Sequence, residues 1–144
     1  MGAAAALSYP LPSPFYAVLV VAALAEATAD TLASELGEVL GGLPLLITTL
    51  RPVMPGTDGG ISLAGTVTGA TGAIVVVLVA VFSLGLSLTS AVSAGVGAIG
   101  GLFVDSLMGA TAERRGWLNN DGVNFLSTVA ASVIAGTLRI FPFH

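Results

Sequence analysis

With 144 residues, 55% of them hydrophobic and only 8% charged, the chain lies far from soluble proteins, which average roughly 25% charged residues. It has no lysine and no cysteine, and its one histidine is the last residue, His144; disulfides, thiolate nucleophiles, Cys/His zinc sites, Schiff-base lysines and Walker A loops are thereby excluded. The net charge of −4 argues against nucleic acid as a partner and leaves acid–base and metal chemistry to carboxylates.

Residues 1–14 are short, carry no basic residue and are broken by Pro10, Pro12 and Pro14. They read as a proline-stiffened lead-in rather than a secretory signal, and Ala6 stands where a myristoylation signal needs Ser or Thr. Four apolar segments follow, at 15–36, 61–86, 89–108 and 123–140. Each is long enough to cross about 30 Å of hydrocarbon at 1.5 Å per residue. The expected fold is therefore an all-α membrane protein of one domain (residues 1–144) with about four transmembrane helices. A Gly/Pro-rich loop at 37–60, with a short hairpin near 45–50, joins helices one and two. SLGLSLTS separates segments two and three.

The first segment departs from the oily pattern. Glu26, Asp30, Ser34 and Gly37 fall within about 80° of one another on a helix, while Glu35 points nearly opposite Glu26. A charge near the bilayer centre costs roughly 2.5–3.5 kcal/mol, so this stripe needs a partner, a cation or a water-filled cavity. Four spans place both termini on one side and the two long loops on the other. Every carboxylate and three of the four arginines (Arg51, Arg114, Arg115, with Arg139 alone on the far side) belong to the two-loop half. The arginine excess marks that side as cytoplasmic. Glu38, Glu113 and Arg139 read as charges seated among headgroups.

Thr57-Asp58-Gly59-Gly60 runs toward Ser62 at the start of helix two, a junction whose NH groups and helix dipole suit a phosphate. Gly65, Gly69 and Gly72, and then Gly97, Gly101 and Gly109, form small-residue stripes expected to bring helices together. Asp105 lies on the second stripe and therefore faces a packed seam. There it meets Asp30 if helices one and three are neighbours. Two such carboxylates repel unless a cation bridges them, and oxygen ligands without His or Cys favour magnesium. Asn120, Asp121 and Asn124 follow Arg114 and Arg115 and make a second candidate metal-and-phosphate cluster, Asp121 being also a natural cap for helix four.

AEATADTLASELG, ITTLRPVMPGTDGGISLAGTVTG, GGLFVDSLMGATAERRG and LNNDGVNFLSTV together resemble the membrane family that includes plant phytyl-phosphate kinase and animal transmembrane protein nineteen. More distantly, Asp30-x-x-Ala-Ser-x-x-Gly resembles a motif of the CTP-dependent phytol and dolichol kinases. Those kinases carry a lysine and a glutamate where Thr57-Asp58-Gly59-Gly60 stands here. The resemblance implies a Mg2+-dependent kinase that moves the terminal phosphate of a nucleoside triphosphate, CTP in the first place, onto a prenyl monophosphate such as phytyl or geranylgeranyl phosphate. Catalysis would fall to Asp30, Asp105 and Asp121. Glu26, Asp30, Ser34, Asp105 and Asp121 would supply metal ligands. Arg51, Thr57, Asp58, Gly59, Gly60, Ser62, Arg114, Arg115, Asn120 and Asn124 would hold phosphates, with the prenyl tail in a helix groove open to lipid. It also implies a bacterial or archaeal inner membrane with the active face cytoplasmic. Family members carry further N-terminal helices, so the chain is expected to be a minimal or shortened member whose site a homodimer closes. Rival expectations are a prenol kinase, a CTP:lipid-phosphate cytidylyltransferase, an inactive assembly subunit and a small carboxylate-based ion or proton transporter.

Overall fold

The computed structural model describes residues 14–141; the proline-stiffened lead-in at 1–13 and the terminal histidine lie outside the described residues. Four helices, α1 (Pro14–Leu40), α2 (Leu63–Leu84), α3 (Leu88–Met108) and α4 (Asn120–Ile140), are long and apolar enough to cross a membrane. Two short strands, β1 (Leu45–Leu46) and β2 (Gly60–Ile61), pair antiparallel and pin the ends of the α1–α2 loop together. A wide π-helical turn over Gly109–Glu113 extends α3 toward α4.

Each boundary has a local cause. Pro14 occupies the first position of α1, where its missing NH costs nothing. Ser62 caps α2 by accepting from Gly65 N at 3.0 Å, and Gly85 ends that helix in the left-handed region at φ 65°. The junction between the predicted second and third segments is thus a break at residues 85–87. Asn119, not Asp121, caps α4: its Oδ1 accepts from Gly122 N at 3.0 Å. Asp121 sits one step inside, in the first turn, where its charge complements the positive end of the helix dipole. Two helices outrun the predicted segments: α1 runs four residues past 36 to Leu40, and the π turn carries α3 five residues past 108.

α1 is the hub. It packs against α2, α3 and α4, α3 pairs closely with α4, and α2 and α3 meet only sparingly although a short link joins them. Small residues fill the interior: Ala22, Ala25, Ala29, Ala94, Ala98, Ala131 and Ala135 are all buried. Large apolar side chains such as Val20, Leu24, Ile74, Phe82 and Val133 point outward. This inverts the soluble pattern and suits a lipid solvent, in which association depends on close backbone approach rather than on hiding oily side chains. A Cβ on Gly69 would stand 2.8 Å from Ala29 O, and one on Gly97 would stand 2.5 Å from Ala131 O. The Thr68 hydroxyl donates across the α1–α2 contact to Leu32 O at 3.2 Å, and Ser132 donates across α4–α1 to Leu19 O at 3.0 Å.

Candidate functional site: an acidic cavity at the loop end of the bundle

Where α1 leaves the bundle, the loop at 41–62 folds back over it and encloses a cavity of about 230 Å3. Each helix contributes polar groups through its own periodicity. α1 sends Asp30, Ser34 and Glu38 to the wall, successive positions four apart on one face. α3 supplies Asp105 and Ser106, the π turn supplies Glu113, and α4 supplies Asn120. The loop and the head of α2 close the other side with Thr57, Asp58, Gly59, Gly60, Ser62 and Thr66. Contact between Gly59 and Ala110 is so close that a Cβ on Gly59, already at φ 75°, would overlap the π turn. That contact holds Asp58 against the end of α3.

Asp30 and Asp105 face each other across the α1–α3 contact, their carboxyl groups within hydrogen-bonding reach. Asp105 Oδ2 is buried with no hydrogen-bond partner. Five carboxylates (Asp30, Glu38, Asp58, Asp105 and Glu113) line the cavity, and no arginine does. A polyanionic ligand enters such a space only together with a cation. Among the described residues no group of three acidic side chains stands close enough to hold a metal by itself. Magnesium does not require one: it is commonly held by one or two carboxylates, with substrate phosphates and water completing the shell. The Asp30–Asp105 pair, with its orphaned oxygen, fits that mode.

The other sequence-derived candidates divide into three groups. Glu26 lies one turn below Asp30 but off the cavity wall, 1% exposed inside the bundle. Asn124 is half-buried, with its Oδ1 buried and unpartnered. Asp121, Arg51, Arg114 and Arg115 are exposed and off the cavity wall. Arg115 lies over the Trp117 ring, 4.9 Å from its centroid, which directs its guanidinium along the outer loop. The expected phosphate cradle also differs in detail. Gly59 and Gly60 do not run straight into the helix; Gly60 N donates to Thr57 O at 2.8 Å and Gly60 belongs to β2, so Ser62 alone meets the N-terminus of α2.

Glu38 and Glu113, read from sequence as headgroup charges, both reach the cavity. Glu38 does so because α1 continues beyond 36, carrying the Asp30–Ser34 stripe one more turn. Glu113 does so because the π turn places it on the inner side. A second concavity, an apolar groove of about 590 Å3, runs between α2 and α3 along Ala73, Val77, Ala91, Gly95 and Ile99. Phe103 lines both the groove and the acidic cavity, so the two adjoin.

Fold and site together define a four-helix integral membrane protein with an acidic, oxygen-lined cavity at one end and an apolar groove leading to it. Within that class the chain belongs to the family described as Integral membrane protein DUF92, which it matches over residues 1–132. It is similar to an uncharacterized membrane protein of Methanocaldococcus jannaschii, at 40% identity over 114 residues, covering 79% of this chain and 48% of the relative. An uncharacterized membrane protein of Synechocystis is 37% identical over 120 residues, covering 80% and 45%. The chloroplastic protein VTE6 of Arabidopsis thaliana is 30% identical over 115 residues, covering 78% and 34%. The chain thus spans about half or less of the length of these curated relatives. No solved structure matches it.

Proposed function

We propose that this bundle is the catalytic unit of a membrane prenyl-phosphate kinase, which transfers the terminal phosphate of a nucleoside triphosphate, CTP in the first place, to a prenyl monophosphate. The observation that carries the reading is the union of an acidic cavity with an apolar groove at Phe103. A lipid phosphate has this same division, an anionic head and a hydrocarbon tail. Similarity to a chloroplast protein and the resemblance to phytyl-phosphate kinase support the same substrate class.

A phosphate monoester, with a second pKa near 6, is already an anionic nucleophile at neutral pH. Its oxygen forms a bond to the terminal phosphorus as the bond to the nucleoside diphosphate oxygen breaks, and no proton has to be removed. The chain's task is therefore alignment and charge compensation. Asp30 and Asp105 would hold Mg2+, which when bound neutralises charge shared by the two phosphate chains. Asn120 and the hydroxyl of Ser34 line the cavity and offer hydrogen bonds to phosphate oxygens. The groove along α2 and α3 receives the tail and fixes the distance of the head from the membrane. Purified protein in lipid nanodiscs, given CTP labelled on its terminal phosphate, is expected to label prenyl phosphate and not prenol. Label appearing only on prenol would replace this reading with a prenol kinase, and flux of ions through proteoliposomes without nucleotide turnover would replace it with a transporter.

A further inference from the structure

Beneath the cavity the bundle holds oxygen atoms that no group in it satisfies. Glu26 is 1% exposed, and neither of its carboxylate oxygens has a hydrogen-bond partner. Asp105 Oδ2 and Asn124 Oδ1 are buried and unpartnered as well. Ser127 stands beside Glu26 and Asp105. Its hydroxyl donates to Asn124 O at 2.9 Å, so its single proton is shared between that carbonyl and the two carboxylates beside it. Three helices therefore bring two carboxylates together with a single hydroxyl proton between them and no cationic side chain. The convergence is built in: a Cβ on Gly101 would come 2.6 Å from Glu26 Cγ and 2.9 Å from Ser127 O, so glycine at 101 is what lets Glu26 sit between α3 and α4.

No side chain of the described residues supplies the missing positive charge. Arg51, Arg114 and Arg115 are exposed in the loops, and Arg139 lies twelve positions past Ser127 on α4, about 18 Å along the helix. Buried acceptors facing one another are held only by a cation, by protons or by water.

We propose that Glu26, Asn124 and Ser127, together with Asp105 of the cavity floor, bind one dehydrated, sodium-sized cation inside the bundle, directly beneath the cavity. The ligand set of carboxylate, amide carbonyl and hydroxyl suits a monovalent ion. Magnesium gives up its water reluctantly and belongs in the roomier cavity. Asp105 is shared with the kinase reading, but Glu26, Asn124 and Ser127 lie off the cavity wall, and sodium binding in EDTA without nucleotide reads this site apart from phosphoryl transfer.

Equilibrium binding of radioactive sodium to the purified protein, in EDTA and without nucleotide, tests it. Saturable binding of about one ion per chain is expected, displaced by unlabelled sodium chloride but not by N-methylglucamine chloride. Glu26→Gln and Asn124→Ala are expected to lose it, and Glu38→Gln, a cavity carboxylate three turns away, to retain it. Sodium should also raise the melting temperature of the wild type and not of Glu26→Gln. Absence of saturable binding to the wild type overturns the proposal without any variant. So does an infrared band of a protonated carboxylic acid that vanishes in Glu26→Gln and is indifferent to sodium, which would assign a proton to these oxygens. Prenyl-phosphate turnover in the same preparation reports separately on the cavity.

Discussion

Alanine at two glycines of α3, two residues apart, is expected to move stability in opposite directions. At Gly97 a Cβ would lie 2.5 Å from Ala131 O, 2.7 Å from Ala135 Cβ and 3.1 Å from Ala135 N. Two of those atoms are backbone, so no rotamer change relieves the overlap, and α4 has to retreat by about 0.8 Å to reach an ordinary C···O approach of about 3.3 Å. At Gly95 nothing lies within 4 Å, because that face opens into the apolar groove. Both substitutions gain the intrinsic helix preference of alanine over glycine, about 0.8–1 kcal/mol in water and less where lipid gives the backbone no alternative partner. Overpacking at Gly97 costs about 1–3 kcal/mol. Gly95→Ala should therefore be neutral to stabilising and Gly97→Ala a net loss, the two differing by about 1–3 kcal/mol. Circular-dichroism melts in one detergent would separate them, since 1 kcal/mol moves the midpoint by roughly 2–8 °C for small domains. Equal shifts, or a stabilised Gly97→Ala, would refute the claim that α3 and α4 are held by backbone contact at this glycine.

Three further outcomes are expected. Asp30→Asn and Asp105→Asn should each lower phosphoryl transfer by about 10²-fold or more and abolish Mg2+-dependent protection by nucleotide against thermal unfolding, whereas Asp121→Asn should leave both nearly unchanged. Steady-state turnover and melting curves on the three proteins would check this, and an inactive Asp121→Asn would move the site toward α4. Asn119→Ala should cost about 1 kcal/mol by removing the cap of α4, while Asp121→Ala should cost about 0.3–1 kcal/mol through the helix dipole alone; melts that reverse the order would show that the aspartate is the cap. Gly95→Phe should fill the groove and depress turnover of long-chain lipid phosphates while sparing a short water-soluble one, a change read as a ratio of kcat/KM values. An unchanged ratio would place the tail elsewhere.

The existence of four spans was legible because composition and segment length are summed quantities, insensitive to any single residue. The small-residue stripes were legible for a related reason: a four-residue repeat of glycine has few uses in lipid other than close approach. The end of α1 was not. Gly37 reads locally as a helix stop, yet in the bundle it is a crossing point, where a Cβ would stand 3.1 Å from Gly65 Cα. Propensity cannot distinguish those two uses of glycine, and the misplaced end hid Glu38. The cap of α4 was equally undetermined, since Asn119, Asn120 and Asp121 are all good cap formers and only the tertiary path selects among them. Glu113 was hidden by the π turn, for which GATAE carries no local signal. The arginines show how far charge statistics reach: they placed Arg51, Arg114 and Arg115 in the two-loop half but gave no direction to their side chains, and Arg115 lies on Trp117.

Packing and chemistry depend on the same residues in this bundle. Gly101 admits Glu26 to the interior, and Gly109 admits the loop that carries Asp58, since a Cβ there would stand 2.9 Å from Gly59 N and 3.5 Å from Asp58 C. At these two positions the close approach that needs no large side chain also brings acidic groups toward one another, unlike the approaches at Gly69 and Gly97. In lipid, with small residues doing the packing, the helices gain little from hydrophobic burial to offset that repulsion. Where cations supply the compensation, the seams at Gly101 and Gly109 are expected to tighten when they bind and loosen when they leave.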